Sequence, residues 1–223
     1  MLKFKNHIQD YRYILSFDLA KQNTGWALVD IADSRVAKCG MIKLDDEAES
    51  PWTDIYDKIQ SVIKEVKELC QKTNNRFFVL KEKLPNQAGR FTTIASLQGL
   101  AQVHAIWELA CEKSGVEVYD YDGVHAVSVK AFFKRTYGVE KPQKEDISKF
   151  VCERYRFDLD GQPLDITDAI ACVQTLVEYK WDADIKDKIK ELKKEQKKYK
   201  TNKKKNEIAE EILRISELEV CYG

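Results

Sequence analysis

The sequence reads as a mixed α/β domain with a charged helical extension. Three observations carry that reading: three consecutive β-type segments at the front, alternating helical and strand patterns behind them, and an abrupt change to lysine-rich sequence after residue 182. The expected boundaries are 1–182 for the domain and 183–223 for the extension. In order, YILSFDLA (13–20) is a buried strand, followed by a turn at Lys21-Gln22-Asn23. GWALVDIA (25–32) is a second strand, and a third runs from Arg35 to Leu44. Ile55, Ile59, Val62, Ile63, Val66 and Leu69 recur at helical spacing within 53–72. RFFVLKEKL (76–84) is an apolar strand that ends in charge. A helix over 92–114 precedes a fifth strand, VEVYDYD (116–122), and helices near 124–136, 143–155 and 164–180 complete the domain. The expected architecture is a mixed five-stranded sheet flanked by helices.

Composition narrows the function classes. Of 223 residues, 43% are hydrophobic, enough for a sizeable core, and 33% are charged, above the usual quarter. Apolar stretches fall short of the roughly 20 residues a membrane helix needs, and MLKFKNHIQDYRY lacks the apolar run of a signal peptide. The expectation is a cytoplasmic protein with no membrane partner. Six cysteines stand singly, without a CxxC, and there are only three histidines, so buried reduced thiols are expected in place of disulfides or zinc.

The net charge of zero conceals an asymmetry. Residues 186–205 carry 11 lysines against three acids, +8, and residues 206–223 carry five glutamates against one arginine, −4. Ile185, Ile189, Leu192, Gln196 and Tyr199, then Ile208, Ile212 and Ile215, give both stretches helical periodicity. The lysine run suits phosphate contact or a solvated helix face.

Four acids stand out. Asp18 follows the apolar run Tyr13 to Phe17, and Glu82 closes the run after Phe77 to Leu80 in a similar way. A carboxylate in such a place is costly unless it is paired or bound to a cation. Asp165 and Asp168, three apart in DITDAIACVQTLV, share one face at the start of an apolar helix. Singly, each suits a turn or a cap. Together, two strand-end acids and a helix bearing two more supply the hard oxygen ligands of a Mg²⁺ pair, as used in phosphodiester cleavage.

These segments resemble RuvC-type Holliday junction resolvases. ILSFDLAKQNTGWALVD is similar to the family's first strand-and-hairpin motif, FFVLKEKL to the strand that ends in a catalytic glutamate, and LDITDAIACV to the closing D-x-x-D-A helix. Order and spacing agree, with 64 residues from Asp18 to Glu82 and 83 from Glu82 to Asp165, and the resemblance spans about 12–180. It implies an RNase H-like fold, a homodimer, and Mg²⁺-dependent (Mn²⁺ substituting) paired nicks across four-way or branched DNA, leaving 5′-phosphate and 3′-hydroxyl ends. Asp18, Glu82, Asp165 and Asp168 would be the metal ligands. Lys130 in SVKAFF and Lys144 in KPQKEDI match basic residues that bind the scissile phosphate or stabilise developing charge. Lys21, Lys81, Lys83, Arg90, Phe91, Lys134, Arg135 and Lys141 are further candidate DNA contacts, besides Lys130 and Lys144.

Three features depart from the pattern. Ungapped alignment puts Lys81, not Glu82, at the glutamate's position. Since one residue reverses the sheet face, either a bulge near Leu80 re-aims Glu82 or a lysine replaces a ligand; Glu82 is the adopted choice. Leu84 and Pro85 stand where the family has a junction-entering aromatic, and Phe91 in NQAGRFTT is the nearest substitute. The tail has no counterpart in short bacterial members and points to a divergent, phage-like protein in a bacterial or phage-infected cell. The helix with Ile94, Leu97, Leu100, Ala101 and Ile106 is the candidate subunit interface, its small residues Ala95, Ser96, Gly99 and Ala101 allowing close approach; the same stripe also suits core packing against the sheet. Two alternatives stay open: a catalytically weak or inactive junction-binding protein, and an actin- or sugar-kinase-like ATPase. The second is disfavoured by the lack of a GxxxxGK loop.

Overall fold

The computed structural model describes residues 8–45, 47–85, 93–119, 123–158, 161, 163–180, 190, 192–199, 204–210 and 212. The chain divides into two compact units, Met1–Gln174 and Thr175–Gly223. The first is built on a sheet of order β3-β2-β1-β4, with β1 (Tyr13–Asp18), β2 (Asn23–Asp30), β3 (Arg35–Lys43) and β4 (Phe77–Lys81). The three front strands form an antiparallel meander, and β4 joins β1 in parallel. That parallel pairing needs a crossover, which α1 (Pro51–Lys72) supplies. Pro51 at its first turn suits the N-terminal start, where a missing N–H costs nothing.

The remaining helices are α2 (Ile94–Ser114), α3 (Ala126–Tyr137), α4 (Lys144–Tyr155) and α5 (Leu164–Gln174). Thr93 caps α2 by accepting from the Ser96 N–H at 3.1 Å, and Gly115, at φ 60°, ends it in the left-handed conformation that glycine tolerates. Every β1 residue is buried, so both sheet faces are covered. On one face Tyr13, Leu15 and Phe17 pack in a core with Ile59, Ile63 and Val66 of α1 and Val103, Trp107 and Ala110 of α2. On the other, α5 lies across β1 and β2 and packs on α4. Tyr137 of α3 stacks on Phe150 of α4, ring centroids 4.0 Å apart, and its hydroxyl accepts from Gln174 Nε2.

The described sheet has four strands, one fewer than expected. The VEVYDYD segment does lie beside β4: Val79 N–H donates to Glu117 O and Tyr119 N–H to Val79 O. It contributes only isolated parallel bridges, Val79 to Val118 and, further along, Glu82 to Val124. Residues 120–122 lie outside the described residues. In the second unit, Thr175–Lys180 is a π-helical segment, and helix recurs at 190, 192–196, 204–210 and 212.

Candidate metal centre

The site is built at the end of β1. Asp18 is the strand's last residue, pairs with Gly25 across the hairpin, and is only 9% exposed. Thr24 ties the intervening turn, its hydroxyl accepting from the Ala20 N–H and donating to the Ala20 carbonyl. A Cβ at Gly25 would fall 2.3 Å from the Asp165 carbonyl oxygen, so only glycine lets the first turn of α5 descend onto this pair. That descent carries Asp165 and Asp168, on one face of α5, to Asp18. One carboxylate oxygen from each of the three lies within 4.8 Å of the other two.

Glu82 enters from β4 without a bulge. The β1–β4 register runs unbroken from Tyr13–Phe77 to Phe17–Lys81, and the Glu82 N–H continues it by donating to Phe17 O. Simple alternation then puts Phe17 and Lys81 on one face and Asp18 and Glu82 on the other. The Asp18 and Glu82 carboxyls share a hydrogen bond. Gly123, at φ 79°, packs against this corner, where a Cβ would come 2.4 Å from the Lys81 carbonyl oxygen. Lys81 was expected at the DNA-facing side. Instead it is 2% exposed beneath α2, its Nζ 2.6 Å from Glu108 Oε1 and 4.9 Å from the centre of the Trp107 ring.

Burial of like charges sets the electrostatics. Desolvation, then the charge and hydrogen bond of Glu82, push Asp18 up to about 9, with Asp168 adding to the rise and Lys144 opposing it. Glu82 is raised, chiefly by burial and next, against a lowering by the Asp18 hydrogen bond, by Asp168. Burial and mutual repulsion thus favour a protonated form of the pair over two bare carboxylates. Asp168 is likewise raised by burial, against the lowering pull of Lys144. Lys144 is the first residue of α4, where a cation opposes the helix dipole. Its ammonium hydrogen-bonds Asp168 and lies 3.8 Å from Asp165 Oδ1. Burial lowers the Lys144 ammonium, but the Asp168 bond and the charges of Asp168, Asp18 and Asp165 outweigh that and leave it raised.

The other candidate residues spread out from this corner. Lys130 on α3 is exposed, and its charge reaches Glu82 and Asp168. Lys134 and Arg135 on α3 and Lys141 before α4 are exposed, and Lys83 is half-buried with its N–H bonded to Val124 O. Lys21, on the hairpin turn, is exposed at its tip, and its stem lies over α2 with Cδ 3.0 Å from where a Gly99 Cβ would be. Arg90 and Phe91 lie outside the described residues. Among the expected interface residues, Ile94 and Ala101 are exposed and Gly99 is buried. Sequence reasoning passed over Gly25 and Gly123, although glycine next to a strand-end acid is itself a signal of close backbone approach.

The donor set fits a hard divalent cation. It consists of carboxylate oxygens alone, and it gathers more negative charge than one lysine offsets, a cost that a bound cation removes. Asp18, Asp165 and Asp168 would hold it, with Glu82 beside Asp18. No helix among the described residues is long and apolar enough to cross a membrane. No protein-family model matches the chain, nor does any curated protein. Two solved structures from Thermus thermophilus are similar. One is RuvC in complex with Holliday junction substrate, with TM-score 0.55, 14% identity, and coverage of 74% of this chain and 92% of that one. The other is a RuvC structure with TM-score 0.52 and 14% identity, covering 73% and 91%. At this identity the likeness speaks to architecture: the chain has a RuvC-like, RNase H-type fold.

Proposed function

We propose that the chain is a metal-dependent endonuclease that nicks four-way or branched DNA, a divergent, phage-like relative of the RuvC-type resolvases. The observation that carries this is the convergence of Asp18, Asp165 and Asp168 within 4.8 Å, with Glu82 bonded to Asp18 and Lys144 on the same cluster. The fold alone does not imply the activity; the cluster supplies the chemistry.

Mg²⁺, or Mn²⁺ in its place, would activate a water and offset charge on the leaving oxygen of a phosphodiester. Asp18 and Glu82 would hold the cation as carboxylates, so binding would be coupled to loss of the protonation that burial favours. Asp165 and Asp168 complete the anionic wall from α5. Lys144 and Lys130, whose charges reach the cluster, would hold a non-bridging phosphate oxygen with their ammonium groups. In-line attack by water leaves 5′-phosphate and 3′-hydroxyl ends. A homodimer would present two such sites to a junction that has two-fold symmetry. The inactive, binding-only reading leaned on Lys81 standing among the ligands, and the position of Lys81 beneath α2 removes that support. The domain boundary at about 182 and a bacterial or phage-infected cytoplasm belong to the same proposal.

The test is a mobile four-way junction incubated with Mg²⁺, Mn²⁺ or EDTA and resolved on a denaturing gel. Metal-dependent, ligatable paired nicks are expected. Asp18→Asn should lower the nicking rate by about 10³-fold or more while junction binding persists; undiminished cutting by this variant would sink the assignment.

A further inference from the structure

Outside the carboxylate site, the strongest unassigned feature is the lysine face of residues 190–199. Lys190, Lys193, Lys194, Lys197 and Lys198 are all exposed. Lys190, Lys193 and Lys194 stand three and four apart in helix, about one turn or 5 Å, and Lys197 and Lys198 follow in the turn after residue 196. Leu192 on the other side is buried. This stretch is tied to the helix over 204–210: Gln196 Nε2 donates to Lys205 O at 2.9 Å, and Lys204 Nζ lies 4.8 Å from the centre of the Tyr199 ring. Tyr199 in turn donates to Glu195 Oε1.

These contacts engage Glu195 and Tyr199 and leave the described lysines exposed. Among the described residues none of Lys190, Lys193, Lys194, Lys197 and Lys198 has a side-chain hydrogen bond or an ion pair. A cluster of exposed like charges repels itself, and a polyanion relieves that repulsion. A lipid surface is the poorer fit. Membrane-surface helices bury an apolar face between the headgroups, and here Leu192 is already covered and Tyr199 is occupied by Lys204.

We propose that the exposed lysines of residues 190–199 are a second nucleic-acid contact, a sequence-independent grip on the phosphate backbone of duplex DNA. It takes phosphates as ammonium–oxygen pairs and reads no bases. The choice of DNA as the polyanion rests on the nuclease reading above; the charge pattern itself calls only for regularly spaced phosphates.

The test uses the full chain and a quadruple variant, K193Q/K194Q/K197Q/K198Q, binding a linear duplex and a four-way junction across a salt series. Each phosphate contact contributes about 0.9 to the slope of log affinity against log salt. The variant should therefore lose about 2–4 of that slope and bind both DNAs at least about 10-fold more weakly at about 0.1 M salt. The Lys→Arg quadruple should keep the wild-type slope. An unchanged slope in the Gln variant overturns the proposal, leaving the lysines as a solvated face. So does a slope lost equally in the Arg variant, which would mean that packing, not charge, is at work. Retention on vesicles of 30% phosphatidylserine in phosphatidylcholine, abolished in the Gln variant while its duplex slope stays unchanged, overturns it in favour of a membrane surface. The two readings separate cleanly: nicking with an unchanged slope keeps the nuclease and loses the grip, and a tail-dependent slope without nicking does the reverse.

Discussion

The two faces of the sheet at the ends of β1 and β4 are one residue apart in sequence and opposite in electrostatic logic. Phe17 and Lys81 point one way, Asp18 and Glu82 the other. On the first face a buried ammonium has a partner at 2.6 Å in Glu108 and the π-face of Trp107 above it. On the second, carboxylates crowd together, with Asp18, Glu82 and Asp168 all raised by burial, and Lys144 is hydrogen-bonded to Asp168. A charge that is buried and satisfied anchors α2 to the sheet. Charges that are buried and in excess are held there at a cost to stability that a bound cation would relieve. Each prediction below alters one side of this contrast.

The largest effect belongs to the satisfied face, and it depends on which partner is removed. Lys81 is 2% exposed, whereas the Glu108 side chain is 42% exposed. Glu108→Ala strands an ammonium with no water, and should cost about 3–5 kcal/mol. Lys81→Met fills the same channel and leaves Glu108 free to turn to solvent, so about 1 kcal/mol or less should be lost. Urea unfolding of both variants checks this. Equal losses would mean that the pair is not asymmetrically buried and that the anchor is Trp107 packing alone. His104 lies within the field of the same lysine; burial, then Lys81, pull it down to about 4, so it stays neutral across the neutral range.

Much of this was legible beforehand because periodicity reports burial. The three front strands, α1 and the acids of α5 followed from runs such as Tyr13–Phe17 and the three-residue step from Asp165 to Asp168. The Lys81/Glu82 ambiguity could not be resolved that way. FFVLK is apolar on both faces up to its end, as buried parallel strands are, so hydropathy carries no face information. Only the register with β1 decides, and it places Glu82 after Lys81 as Asp18 follows Phe17. The fifth strand failed for a related reason. VEVYDYD has strand composition, yet its pairing with β4 reduces to single bridges at Val118 and, beyond the segment, Val124. The closeness of α5 to β2 was likewise hidden, since what permits it is the absence of a side chain at Gly25.

The crowded face makes the next prediction. Asp18 sits at about 9 in the folded chain against an ordinary 3.8, raised mainly by burial and then by Glu82. Its protonated form is the one the fold favours, so its contribution is complete below about pH 4 and is lost progressively as pH rises toward 9. Asp18→Asn removes that loss. In EDTA at pH 8 the variant should be about 1–3 kcal/mol more stable than wild type, and near pH 4 the two should converge. Mg²⁺ should then stabilise the wild type more than the variant. A variant less stable at every pH would show that Asp18 is satisfied where it stands, and the contrast between the faces would collapse.

Lys144 gives the smallest effect and the sharpest test of what offsets the crowding. Its side chain is 56% exposed, so water screens its pairing with Asp165 and Asp168, and Lys144→Gln should cost only about 0.5–1 kcal/mol in EDTA. Because its folded value is raised from 10.5, that contribution is present throughout the range below 10.5 and its own titration adds no slope there, unlike that of Asp18. The informative readout is metal affinity. A tethered ammonium bonded to Asp168 competes with any cation for the same oxygens, so removing it should tighten Mn²⁺ binding about 2–5-fold, followed by electron paramagnetic resonance. Were Mn²⁺ to bind more weakly instead, Lys144 would be ordering the carboxylates for the cation and not standing in its place. The excess negative charge of this face would then be a property of the acids and their burial alone.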